Sequence, residues 1–214
     1  GITRLGGFIW LAEQRANRIG RINVVAEEVE EFPTGIAGAL PNSIAAGPGG
    51  VLYFTDKGSS KLGRVDAATG GVTEVLNVTL SSPAGIGRGP DDNMWITESG
   101  SDRISRFNTT SGVLTQFTIP AGTAAQPSGI VVGPDNFIWF TMQGRNRIGK
   151  IDPNNSNTIT EYSAGIATNS RPNYITLGSD GNLWYTTQSG GRIGRVTPSG
   201  GIVEFTSGIT SGSE

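Results

Sequence analysis

The chain has 214 residues and a formal net charge of −2, with no basic cluster among its aromatics, so broad attraction to nucleic acid or anionic lipid is not expected. Cysteine and histidine are both absent, which excludes disulfides, thiolate nucleophiles, cysteine metal sites and the usual proton shuttle. No apolar run has the length of a membrane helix, and any chemistry must rest on carboxylates, hydroxyls, amides or the backbone.

One unit of about 43 residues recurs five times, a period typical of propeller blades. The first copy opens at Ile2, centres on Trp10 and continues through Arg18-Ile-Gly-Arg21. The second has Ile44, Tyr53 and Lys61 in the same order, the third Ile86, Trp95 and Arg103, the fourth Ile130, Trp139 and Arg147, and the fifth Ile175, Trp184 and Arg192. The central aromatics lie 43, 42, 44 and 45 residues apart. In the fourth copy Ser128-Gly-Ile-Val-Val, the turn Gly133-Pro-Asp-Asn136 and Phe137-Ile-Trp-Phe-Thr141 read as a hairpin. Arg147–Ile151 and Thr158–Tyr162 read as a third and a fourth strand.

Each copy is therefore a four-stranded antiparallel meander, and such sheets bury both faces only by stacking radially. The expected fold is an all-β, five-bladed β-propeller, each blade contiguous in sequence, with no strand-swapped closure and with blade 5 packed on blade 1. The single domain covers 1–214, with blades at about 1–41, 42–83, 84–127, 128–172 and 173–214. First strands lie nearest the axis, where Thr3, Ala45, Gly87, Val131 and Thr176 keep side chains small.

Features shared by all copies are read as requirements of the blade: the aromatics as core, the basic residues as braces between strand and loop backbone, the Gly-Pro-Asp segments as turns. A site for one asymmetric ligand is expected where copies differ. They differ three residues after the aromatic, at Glu13, Asp56, Glu98, Met142 and Thr187. Hairpin pairing in the register of Ile44 with Phe54 sets Asn42 opposite Asp56, Ala84 opposite Glu98, Ser128 opposite Met142 and Asn173 opposite Thr187. Glu13, Asp56 and Glu98 are thus expected to converge at one mouth of the pore beside Asn42, Ser128 and Asn173. No metal or other cofactor is expected: oxygen ligands of this kind would suit Mg²⁺ or Ca²⁺, but Arg15, Lys57 and Arg145 stand as alternative neutralising partners.

Pro127-Ser-Gly-Ile, Gly133-Pro-Asp, Trp139-Phe-Thr and Arg192-Ile-Gly-Arg195, with their counterparts in the other copies, resemble the repeats of the streptogramin B (virginiamycin B) lyases over the whole chain. The resemblance implies a magnesium-dependent propeller of seven blades that opens a cyclic depsipeptide by elimination. The family's histidines follow the proline of Pro-x-x-Ile, where this chain has Asn42, Ala84, Ser128 and Asn173, none of which removes a proton at neutral pH. Its acidic position survives as Asp56 and Glu98, with Glu13 in a variant context.

The leading expectation is a non-catalytic, monomeric binding protein that takes a small glycan or polar molecule at the pore mouth and has no nucleic-acid or membrane partner. The alternative is a lyase- or hydrolase-type enzyme using Asp56 and Glu98 as paired carboxylates. A charged fraction of 16% and richness in glycine, serine and threonine point to a secreted protein, whereas the Asn-x-Ser/Thr sequons at Asn77, Asn108 and Asn154 are as many as this composition gives by chance.

Overall fold

A computed structural model describes residues 1–120, 124–155, 158–206 and 208–209. It contains five four-stranded antiparallel sheets, each a meander of consecutive strands, making the molecule an all-β, five-bladed propeller. In blade 4 the strands are Pro127–Val132, Ile138–Met142, Arg147–Ile151 and Ile159–Tyr162. The corresponding sheets span 2–33, 41–74, 83–118 and 172–205. One short 3₁₀ turn, Pro48–Gly50, is the only helix among the described residues.

Four apolar clusters each straddle two neighbouring blades. Trp10 and Ile19 of blade 1 pack on Ile44, Leu52, Phe54 and Val65 of blade 2, and Trp139 and Ile148 of blade 4 on Ile175, Leu183, Tyr185 and Val196 of blade 5. The core is thus a series of slabs between sheets, filled by side chains that the strands send alternately to the two faces.

The repeated small motifs acquire specific roles. Asp91, Asp135 and Asp180 accept the indole N–H of Trp95, Trp139 and Trp184 at 3.0, 3.0 and 3.1 Å, so the turn aspartate satisfies the tryptophan of its own blade. Blade 1 turns through Gly6-Gly7 alone, and the buried Trp10 Nε1 has no hydrogen-bond partner among the described residues. The glycine of Arg-Ile-Gly-Arg lies beneath a cross-strand ring: a Cβ on Gly149 would stand 2.3 Å from Phe140, and one on Gly194 1.9 Å from Tyr185.

The outer basic residue of each copy pairs with the fourth strand of the same blade, which revises the expected bond to loop backbone. Arg18 meets Glu31, Lys61 meets Glu74 at 3.1 Å, Arg147 meets Glu161 at 2.7 Å and Arg192 meets Glu204 at 3.7 Å. In blade 3 the partner of Arg103 is Gln116 at 3.3 Å. The inner basic residue does cross between blades. Arg21, Arg106 and Lys150 lie over the aromatics of their own blade and donate to the carbonyls of Ala67, Pro153 and Pro198 in the next.

Two expectations are corrected. The first concerns register, since Ile44 faces Phe54 as expected but Pro41, not Asn42, faces Asp56. Pro83, Pro127 and Pro172 likewise stand opposite Glu98, Met142 and Thr187. One extra residue in the first strands of blades 2 to 5 forms a bulge just after the proline. The second concerns closure. Successive first strands approach closely from blade 1 through blade 5, but no comparable approach joins blade 5 to blade 1 among the described residues. Ile2 and Val29 of blade 1 are 68% and 63% exposed, and Ile193 and Phe205 of blade 5 are 42% and 39% exposed.

Two outcomes follow. Gly149→Ala should lower stability by about 1–3 kcal/mol through overpacking against Phe140, measured by urea unfolding. Asp135 is held below the ordinary carboxylate range: burial opposes this, but Lys150, the Trp139 indole and the Phe137 N–H outweigh it. A depressed folded value stabilises above the unfolded one, near 3.8, and that stabilisation is lost as pH falls through the folded value. Asp135→Asn should therefore be less stable than wild type at pH 7, with the difference closing below about pH 3 in thermal melts.

Candidate functional site

The five first strands line an axial cavity of about 580 Å³. Its wall contains Asn42, Ala84 and Ser128 together with Tyr174 and the isoleucines Ile44, Ile86, Ile130 and Ile175. The bulge brings the first three to the wall, because an extra residue re-aims the side chain that regular alternation would place elsewhere.

A bulge frees backbone groups that must find partners, and the threonine near the end of each second strand supplies them. Thr55, Thr97 and Thr141 accept the N–H of Ser43, Gly85 and Gly129 at 3.1, 2.8 and 2.9 Å. Each hydroxyl then donates across the blade boundary, Thr55 to the carbonyl of Ala84 at 2.8 Å, Thr97 to that of Ser128 at 2.6 Å and Thr141 to that of Asn173. The residues at the cavity wall are therefore pinned from both sides. In blade 1 the position is Ala12, and the Gly1 amine reaches the Asn42 carbonyl at 2.7 Å.

The polar side chains at the wall are linked from blade to blade. Asn42 Nδ2 donates to the Ala84 carbonyl at 3.0 Å, and Ser128 Oγ donates to Asn173 Oδ1 at 2.9 Å. Gln143 Nε2 donates to the same Asn173 oxygen at 2.6 Å. Tyr174 is 63% exposed and offers an uncovered ring beside this row. Of the residues sequence reasoning named, Asn42 and Ser128 line the cavity and Asn173 stands behind it, bonded to Ser128 and Gln143; Tyr174 was missed. The signal for Tyr174 was available, since the other copies have Ser43, Gly85 and Gly129 where blade 5 has a tyrosine.

The acids behave differently from expectation. Asp56 is fully buried, its Oδ1 accepting the N–H groups of Leu40, Gly58 and Ser59 and its Oδ2 the Ser59 hydroxyl. Glu98 is also buried and accepts from the Ser81 N–H, the Ser105 hydroxyl and Gln116 Nε2. Glu13 is half-buried at the end of its strand. None of the three lines the axial cavity. Among the described residues no group of three acidic side chains could hold a metal ion, so the expected convergence of Glu13, Asp56 and Glu98 at one mouth of the pore is corrected: Asp56 turns to donors of the loops around Leu40 and Ser59, Glu98 to Ser81, Ser105 and Gln116, and Glu13 lies against Gly20 of the third strand. Arg145 reaches Glu161 at 2.7 Å and the Pro120 carbonyl at 2.7 Å, away from those acids.

Asp56→Asn and Glu98→Gln should each destabilise by about 1–3 kcal/mol, the cost of disturbing buried acceptors, while leaving ligand affinity at the axial cavity within twofold. Paired denaturation and calorimetric titration separate the two effects.

The model of the virginiamycin B lyase family matches residues 1–163. A streptogramin B lyase structure is 31% identical with a TM-score of 0.87, covering 96% of this chain and 67% of that one. A catalytically inactive His-to-Ala variant of virginiamycin B lyase from Staphylococcus aureus, with quinupristin, is 34% identical with a TM-score of 0.88, covering 98% and 70% respectively. The extracellular domain assigned to a hybrid two-component system of B. thetaiotaomicron, at 18% identity and a TM-score of 0.74, covers all of this chain and 31% of that one and shares the fold. No curated protein matches the chain significantly.

Proposed function

The chain belongs to the virginiamycin B lyase family, and on that footing we propose that it is a non-catalytic binding propeller whose ligand enters the axial cavity. The observation that carries this reading is the composition of the cavity wall. The bulge positions, where the family resemblance implies the catalytic histidines, present an amide at Asn42, a methyl at Ala84 and a hydroxyl at Ser128. The staphylococcal lyase variant is inactive with a histidine replaced by alanine, and this sequence supplies no histidine at all. A cavity of about 580 Å³ lies within the range of small-molecule sites, which pair apolar walls with a few placed polar groups.

The ligand we assign to it is a small glycan or a similar hydroxyl-bearing molecule. Amide and hydroxyl groups exchange hydrogen bonds with sugar hydroxyls, and the exposed Tyr174 ring provides an apolar face with a polar tip. A secreted location accords with the low charge fraction and with Asn77 and Asn154 lying exposed within their sequons. The carboxylate-enzyme alternative has no support in the geometry, because the oxygens of Asp56 and Glu98 are occupied by internal donors.

A thermal-shift and calorimetric screen of mono- and oligosaccharides and polyols tests the proposal. At least one compound should raise the melting temperature as its concentration passes its Kd. Tyr174→Ala should weaken that compound about tenfold, equivalent to about 1.4 kcal/mol, without lowering the melting temperature of the free protein. Quinupristin incubated with the protein should be recovered at unchanged mass. Consumption of quinupristin, or a screen without a single shift, overturns the assignment.

A further inference from the structure

The residue that follows the end of the second strand stands at the mouth of the axial cavity, and blades 2 to 5 hold its backbone alike. The N–H groups of Lys57, Ser99, Gln143 and Gln188 donate to the carbonyls of Leu40, Ser82, Gln126 and Arg171, each the residue before the first-strand proline, at 3.2, 3.2, 3.2 and 2.9 Å. From this fixed point a side chain can cross to the next blade. Gln143 does so, its Nε2 reaching Oδ1 of Asn173, the bulge residue of blade 5, at 2.6 Å. Ser99 is too short and turns back to the Ser82 carbonyl at 2.8 Å. Lys57 has the length to cross, but the bulge residue of blade 3 is Ala84, whose methyl offers an ammonium no partner.

The acids at this end of the blades do not claim the lysine either. Asp56 and Glu98 are buried, and their oxygens accept from loop and strand donors. Lys57 is exposed, and among the described residues its ammonium has neither a hydrogen bond nor an ion pair. The side chains that line the cavity are all uncharged. Arg171 is also exposed near this mouth, but it holds the place before the proline, whose counterparts Leu40, Ser82 and Gln126 stay out of the cavity wall. Lys57 is therefore the unpaired charge best placed to meet what the cavity holds.

Resting on the reading of the cavity as a site for a hydroxyl-bearing molecule, we propose that its ligand is a sugar acid, a hexuronate alone or at the end of a glycan. Its carboxylate is received over Ala84 by the Lys57 ammonium, and the Asn42 amide and the Ser128 hydroxyl on either side take ring hydroxyls. An ammonium brings three donors and no acceptor, so a ligand oxygen rather than a ligand N–H must meet it, and an ionised oxygen makes the stronger bond. A single cation beside a neutral wall matches a single negative charge. A phosphate group, which carries up to two charges, would leave one of them uncompensated.

Calorimetric titration of the whole chain with sugars that differ only at the sixth carbon tests this: glucose against glucuronate and galactose against galacturonate, with glucose 6-phosphate beside them. At least one acid should bind about five- to tenfold more tightly than its neutral partner, and the advantage should shrink as salt rises to about 0.5 M. Lys57→Met keeps the apolar stem and should bring the pair within twofold, with the affinity for the neutral sugar and the melting temperature unchanged. Arg15→Gln removes the same charge from another connection at this end and should keep the preference. A neutral sugar that binds as tightly as its acid overturns the sugar-acid inference and leaves the binding reading standing. A preference that survives Lys57→Met, or that Arg15→Gln abolishes equally, overturns the role of Lys57, and tighter binding of the phosphate overturns the ligand class. If acids and neutral sugars alike fail to bind, the inference falls together with the reading on which it rests.

Discussion

The threonine hydroxyl near the end of the second strand is the contact on which the inner part of this propeller depends. A one-residue bulge in the first strand would leave an N–H without a ladder partner, and a buried orphan donor costs about 1–3 kcal/mol. Thr55, Thr97 and Thr141 each satisfy that donor and spend their own proton on a carbonyl of the next blade. The same atom therefore holds the bulge in place and fixes the spacing between sheets. Remove the hydroxyl and both the re-aimed wall residue and the blade boundary lose their anchor.

Around this linkage, the repeated and unrepeated features divide by position. Motifs near the outer edge and between sheets are satisfied within the fold: turn aspartates by indoles, outer arginines by fourth-strand acids, glycines by the rings above them. Variation concentrates near the axis, where the bulge position is an asparagine in blades 2 and 5, Ala84 in blade 3 and Ser128 in blade 4 while the backbones stay equivalent. A scaffold that fixes backbone geometry at four related points and leaves the side chain free suits changes of ligand more than changes of fold.

The blades were legible in the sequence because the aromatic period and the Gly-Pro-Asp turns are local signals that recur. The bulge was not, because one inserted residue leaves the hydrophobic pattern around Ile44 and Phe54 intact and shifts only the short segment before it. That slip separated Asn42 from Asp56 and, with it, the cavity wall from the acids. The burial of Asp56 and Glu98 was also hidden, since their donors come from loops such as Leu40 and Ser81, whose return to the blade leaves no periodic trace. Closure failed for a related reason: an integral repeat count says nothing of the angle between sheets, which is set by the width of the side chains packed between them.

Among the described residues the sheets follow one another in single file, and no close approach joins sheet 5 to sheet 1. Such an array has low contact order for an all-β protein, because its longest obligatory pairings reach one repeat along the chain. Folding can start at any pair of adjacent sheets and spread outward, without the long loop closure that a sealed ring demands. Within these five sheets loosening is graded, because sheet 3 is packed on both sheet 2 and sheet 4, so backbone amides of the central sheet would exchange with solvent more slowly than those beside the gap rather than all in one cooperative step.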